Sequence, residues 1–269
     1  MTEQERTQAA QRGGSVSAWL ENFSQKHGWS GSTLKMIAIV TMLIDHTGAG
    51  IIENYIYSNP QRYSTTLYTI NEVMRGIGRI AFPIFCFLLV EGFTHTRNVW
   101  KYLLRLLIFG VIAEIPFNLG IFRSVRYADY QNVFWTLALG VLMMILTEKA
   151  AKFNVFKKAA WLNTIATVVF DIFIFIMLGA VALAAKTDYN MLGLGLILFL
   201  YAFRGRRLEQ AIWCALYCWL FLDEIPAMIS VIPMLLYNGK RGWKLKYFFY
   251  AFYPAHLLII WAVGFLFGL

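Results

Sequence analysis

Two ionisable residues in tandem, Asp45 and His46, stand near the middle of the apolar stretch 34–56 (LKMIAIVTMLIDHTGAGIIENYI). A titratable group at bilayer depth costs a few kcal/mol at least, so it is usually kept because it lines a polar cavity or performs chemistry. Neighbouring helical residues point about 100° apart, so each of the two needs its own partner. Asp45 calls for a cation, with Arg79 the first candidate, since an unpaired carboxylate in this medium would protonate. His46 is then left facing a cavity, where a neutral imidazole can take a proton from an amine or hydroxyl. The plain alternative is that both residues only hydrogen-bond helices together.

Other polar groups share these depths. His256 follows Pro254, which removes a backbone donor and can open its helix; the ring either lines that opening or satisfies the freed carbonyls. Asp171 reaches a similar level, and Arg79 and Glu114 sit nearer one face. Arg79 lies in Gly76-Ile-Gly78-Arg79-Ile-Ala-Phe82-Pro83, where glycines permit close backbone approach; it either binds a substrate anion or pairs with Asp45 or Glu114. Glu91, His95 and Arg105 sit near the opposite face, and together these groups predict a polar path with His46 at its centre. On that face the turn Tyr237-Asn-Gly-Lys240-Arg241-Gly joins Arg97, Lys101 and Arg105, a set suited either to phosphates or to ordinary anchoring at the membrane surface. Cys86, Cys214 and Cys218 all fall in apolar stretches, which reads as packing and not as disulfides or a metal site.

The elements that must position these residues follow from composition. With 59% hydrophobic and 14% charged residues, the chain is far more apolar than a soluble domain. A net charge of +9 does not point to nucleic acid, because almost no soluble face exists to carry it. A crossing helix needs about 20 apolar residues, and the pattern predicts an all-α bundle of nine spans: 34–56, 74–93, 99–120, 132–146, 160–183, 191–203, 208–221, 225–237 and 245–268. The sixth, seventh and eighth are short, as tilted or buried segments would be. Threaded alternately, the spans put most Lys and Arg on one side, Lys157 and Lys158 among them, which places the N-terminus in the cytoplasm. Residues 1–31 read as a polar cytoplasmic tail without a removable signal; its first dozen residues look disordered, and Trp19, Leu20 and Phe23 have the spacing of an interfacial helix. Residues 32–269 read as one membrane domain, without internal repeats.

The blocks Met42-Leu-Ile-Asp45-His46, Gly78-Arg79-Ile-Ala-Phe82-Pro83, Glu91-Gly92-Phe, Tyr102-Leu-Leu-Arg105, Glu114-Ile-Pro116-Phe117-Asn, Tyr237-Asn-Gly-Lys-Arg-Gly242 and Tyr253-Pro254-Ala-His256 resemble, in order and number, the TraX family, named for the F-pilin acetylase of conjugative plasmids. The resemblance runs from about Leu34 to the last helix. It implies acetyl transfer from acetyl-CoA to a membrane-inserted pilin-like peptide in the bacterial inner membrane. TraX is also similar to the wider group of membrane-embedded acyltransferases acting on envelope glycans, in which a first-helix histidine is thought catalytic; His46 is the matching position.

On that reading His46 is the general base, Asp45 its electrostatic support, and Arg79 a candidate donor to the developing oxyanion. Arg97, Lys101, Arg105, Lys240 and Arg241 would meet the phosphates of acetyl-CoA, while Glu114, His256 and Asp171 line the polar cavity. Direct transfer is favoured, since no Ser or Cys neighbours His46. The competing functions are a proton-coupled transporter, which would be expected to show related halves that this chain lacks, and an assembly factor that holds pilin-like subunits without chemistry.

Overall fold

The computed structural model describes residues 16–58, 60–152, 160–244 and 246–269, and these fold into helices with no strand among them. The first dozen residues and the basic pair Lys157 and Lys158 lie outside the described residues. An amphipathic helix α1 (Val16–His27) leads into α2 (Gly31–Thr47), which continues through a π-helical turn (Gly48–Glu53) to the short α3 (Asn54–Ser58). Helices α4 (Thr65–Gly78) and α5 (Ala81–Thr94) make one crossing interrupted at Arg79 and Ile80. Then come α6 (Val99–Phe122), α7 (Val133–Ala151), α8 (Ala160–Ala184), α9 (Asn190–Ala202) and α10 (Arg207–Leu220). A 3₁₀ segment (Ile225–Ser230) runs into α11 (Val231–Leu235), and α12 (Lys246–Leu266) closes the bundle.

Where nine spans are expected, six stretches have the length and apolarity to cross a membrane: Gly31–Ser58, Thr65–Thr94, Val99–Phe122, Val133–Ala151, Trp161–Ala184 and Phe248–Leu266. The remaining three expected spans are short segments, Asn190–Ala202, Arg207–Leu220 and Ile225–Leu235. The second crossing begins at Thr65, well before the expected residue 74. Its polar first half is amphipathic and buries Asn71 beside the π-helical turn, so hydropathy alone missed it.

Helix starts are set by side-chain caps. Ser30, Asn98 and Asn132 accept from the backbone N–H of Thr33 (3.3 Å), Lys101 (2.9 Å) and Phe134 (3.1 Å), each meeting a donor the helix leaves orphaned. Helix α5 sits centrally, packed against α2, α7, α9 and the 3₁₀ segment, and buries Phe82, Ile84, Cys86, Phe87 and Val90. Helix α8 packs along α7 and α9 and turns Val168, Val169, Phe170 and Phe173 outward, as a lipid-facing helix does. All three cysteines are buried and free, as packing residues would be.

The ends of the bundle are tied by backbone pairs. Trp29 pairs with Tyr237 at one end, and Gln131 with Thr187 at the other. The first will be called the basic end, because Lys35, Arg105, Arg207, Lys240 and Arg241 gather there.

Candidate functional site

Asp45 and His46 diverge from α2 as the helical angle requires. Asp45 turns to α4, where its Oδ1 lies 2.9 Å from Nη1 of Arg75. His46 turns to α12, where its Nδ1 lies 2.7 Å from Nε2 of His256. The two imidazoles lie edge to edge and nearly coplanar, with centroids 5.0 Å apart and planes 7° from parallel. Tyr253 meets both rings edge-on, and Phe252 stacks on His256. His256 is buried, whereas His46 keeps part of its surface accessible. Pro254, inside α12, weakens the helix two residues before His256, and the ring Nδ1 lies 2.8 Å from the Phe252 carbonyl. The carbonyl it meets is that of Phe252, not the Tyr250 carbonyl that Pro254 leaves without a helical donor.

Two cavities flank this pair without His46 lining either. The cavity at the basic end, about 550 Å³, is lined by Lys35, Arg105 and Arg241, by Glu91 and His95, by Tyr102, Phe249 and Tyr250, and by the aliphatic Leu88, Leu89, Leu106 and Leu137 among others. Arg105 hydrogen-bonds Tyr250 and lies over the Tyr102 ring, and the Lys35 ammonium lies 5.4 Å from the Phe249 centroid. Cations with hydroxyls on an apolar wall fit an anionic group carried on an apolar arm. Arg97, Lys101 and Lys240 are exposed and lie outside this lining, while Lys35, which sequence reading left among the anchoring charges, belongs to it.

The basic turn is held there by backbone. The carbonyls of Lys240 and Arg241 accept from the N–H groups of Gly31 (2.8 Å) and Ser32 (3.0 Å), so the turn covers the start of α2. Gly242 makes this possible: its φ is +72°, and a Cβ there would collide with the Ser30 and Ser32 hydroxyls. Between this cavity and the histidines stands an aromatic partition, Tyr250 stacked on Phe134 and Phe134 against Tyr253. Where the sequence predicts a continuous polar path, α12 and α7 place the rings of Tyr250, Phe134 and Tyr253 between this cavity and the histidines.

The opposite cavity, about 580 Å³, is lined by Glu53, Asn71, Glu72, Arg75, Arg79, Asp223 and Glu224 among others. Here the expected Asp45–Arg79 pair is corrected. Arg79 pairs with Glu224 at 3.1 Å and hydrogen-bonds Tyr189, because Arg75, one turn earlier, already occupies Asp45. Arg79 lines this cavity with its guanidinium held by Glu224 and Tyr189. Tyr130 donates to Asp188 (2.5 Å), and Tyr189 stacks on Phe82. Burial lifts the Glu224 carboxyl to about 7 and that of Asp188 to about 6, outweighing the lowering pull of Arg79 on both. Asp188, Tyr189 and Glu224 lie in segments read as links and Arg75 at the start of the expected span 74–93, and only their polarity beside apolar runs marks them.

Two further expectations are corrected. Glu114 accepts from Asn132 Nδ2 and from Trp135 Nε1 (2.9 Å), tying α6 to α7 in place of meeting Arg79. Asp171 lies on α8 against Thr147 of α7, on the rim of the bundle and away from the histidine pair. Among the described residues no cluster of His, Cys, Asp and Glu could hold a metal ion.

Fold and site together define a helical membrane protein with an imidazole pair set between a basic cavity and an ion-paired one. A family model described as TraX protein matches residues 30–264, and the chain belongs to the TraX family. It is 31% identical over 258 residues to the probable fimbrial assembly protein FimC, serogroup H1, of Dichelobacter nodosus, covering 88% of this chain and 96% of that relative. No solved structure matches the chain.

Proposed function

We propose that the protein is an acetyltransferase of the bacterial inner membrane, moving an acetyl group from cytoplasmic acetyl-CoA to an amine or hydroxyl of an acceptor that enters from the other side. Family membership and a relative named for fimbrial assembly support a pilin-like acceptor. The observation that carries the chemistry is the His46–His256 pair, hydrogen-bonded and partly accessible between two cavities of opposite character. In this reading the three short helical segments complete nine crossings, with the N-terminus and the basic end cytoplasmic.

Lys35, Arg105 and Arg241 hold the phosphates of the donor, and the aliphatic wall takes its arm. The partition of Phe134, Tyr250 and Tyr253 parts to bring the thioester to His46. His46 accepts the proton of the acceptor as the new bond to the acetyl carbon forms and the carbon–sulfur bond breaks; the leaving thiolate then takes that proton from His46. Asp45 does not touch this imidazole and acts through the position of α2.

Radiolabelled acetyl-CoA, incubated with protein-containing membranes and a pilin-like peptide, tests this directly. His46→Ala, at equal protein level, is expected to reduce acetyl transfer by at least 100-fold; transfer at the wild-type rate overturns the assignment.

A second reading has its own observation. His46 lines neither cavity, as a structural histidine of a non-catalytic assembly factor would not. Under that reading His46→Ala leaves fimbrial assembly intact, and acetyl-CoA does not bind.

A further inference from the structure

We infer that His256 is the positioning residue that sets the tautomer of His46, leaving the Nε2 of His46 as the lone pair that receives the acceptor's proton. The inference rests on the acetyltransferase reading for its functional consequence, and on hydrogen-bond order for its structural content.

The order follows from what each atom is able to donate. The carbonyl of Phe252 only accepts, so the Nδ1 of His256, 2.8 Å away, must carry the hydrogen. A neutral imidazole has one N–H, which leaves the Nε2 of His256 as an acceptor. The atom it accepts from is the Nδ1 of His46, at 2.7 Å. That nitrogen therefore holds the one hydrogen of the His46 ring, and the Nε2 of His46 is unprotonated. No carboxylate pairs with either ring among the described residues, and an unpaired cation buried in aromatic surroundings is costly, so the neutral chain is the resting one.

Geometry supports the assignment further. The rings are nearly coplanar, so the N–H of one points along the in-plane lone pair of the other; Tyr253 contacts both edge-on, and the bond from His256 to Phe252 spans one turn of its own helix, so it does not depend on a distant element. When Nε2 of His46 gains a proton, the ring becomes an imidazolium whose Nδ1–H still points at the Nε2 of His256. The positive charge thus arises against an acceptor already in position. Reversing the chain would put the proton of His46 on Nε2, where it would block the base. A carbonyl beside one histidine, four residues back along α12, so decides which nitrogen of another histidine is free.

The test is ¹⁵N NMR of the full chain in detergent micelles, with histidine ring nitrogens labelled. The chain has four histidines, so single replacements assign the signals. Wild-type His46 is expected to show its proton on Nδ1, the minor form of free histidine. In His256→Phe, which removes the acceptor, His46 is expected to revert to the Nε2–H form; His256→Gln, which places an amide oxygen near the lost Nε2, is expected to restore the Nδ1–H form. In transfer assays His256→Phe is expected to lower kcat about 100-fold with KM for acetyl-CoA unchanged, and His256→Gln to recover at least tenfold of that loss.

A wild-type His46 protonated on Nε2, or a tautomer indifferent to His256→Phe, overturns the inference, even where His46→Ala abolishes transfer. Conversely, a tautomer switch in a protein that transfers no acetyl group upholds the hydrogen-bond order and overturns the acetyltransferase reading.

Discussion

At the residue scale, one angle governs the site. The turn of about 100° between successive helical positions predicts separate partners for Asp45 and His46, and the structure supplies Arg75 on α4 and His256 on α12. Which arginine pairs with Asp45 was not legible, since Arg75 and Arg79 lie on the same face one turn apart and only the packing of α4 on α2 chooses. Gly78 shows how closely that packing is set: a Cβ there would run into the Asp45 side chain, whereas at Gly76 the nearest atom is Pro226 Cγ, 3.6 Å away. Gly78→Ala is expected to destabilise the protein by about 1–3 kcal/mol in thermal unfolding, through displacement of Asp45. Gly76→Ala should be neutral or stabilising by up to about 1 kcal/mol. Glu224 yields a pH prediction. Its carboxyl, raised by burial from the ordinary 4.5 to about 7, favours the folded state while protonated, so its contribution is complete below about 4.5 and is lost as pH rises through 7. The melting temperature in detergent is expected to be higher at pH 6 than at pH 8, and Glu224→Gln to flatten that difference; an unchanged slope in the variant would assign the effect elsewhere.

At the element scale, broken helices are held by side chains from their neighbours. The π-helical turn Gly48–Glu53 disturbs the bonding ladder of the first crossing. Asn54 donates to the carbonyls of Ala49 (3.0 Å) and Ile121 (2.8 Å), and Arg123 donates to those of Gly50 and Trp261 (3.0 Å). Three helices are thereby joined at one end through carbonyls. Arg123→Gln is expected to cost about 2–3 kcal/mol and to speed amide exchange in the last turns of α12; exchange as slow as in the wild type would show that packing alone holds this junction. Sequence reading located the long helices to within a few residues where apolar runs are bounded by charge, as at Val99–Phe122 and Ala160–Ala184. It failed at Thr65, because an amphipathic half-helix that packs on a polar turn carries no hydropathy signal.

At the scale of the whole molecule, asymmetric charge gives the proposed orientation. Because Cys86, Cys214 and Cys218 are fully buried, single cysteines introduced at the surface report topology without background. On spheroplasts, Arg126→Cys is expected to react with a membrane-impermeant maleimide, and Lys240→Cys only after lysis; the reverse pattern would invert the bundle. The all-helical membrane class was legible, since it is a local property of composition. The ion-paired cavity was not, because Arg75, Asp188 and Glu224 meet only when segments far apart in sequence are brought together.

Helix α2 runs unbroken from the start of the basic turn to the imidazole pair, and it carries Lys35 at the cavity and His46 eleven residues on. That interval is about 16 Å along the axis and returns to within roughly 20° of the same face. The helix is in effect a ruler fixed at both marks: under the proposed reaction it would set how long the donor's arm must be to span from Lys35 to His46, and a single inserted residue would swing one mark a quarter turn away from the other.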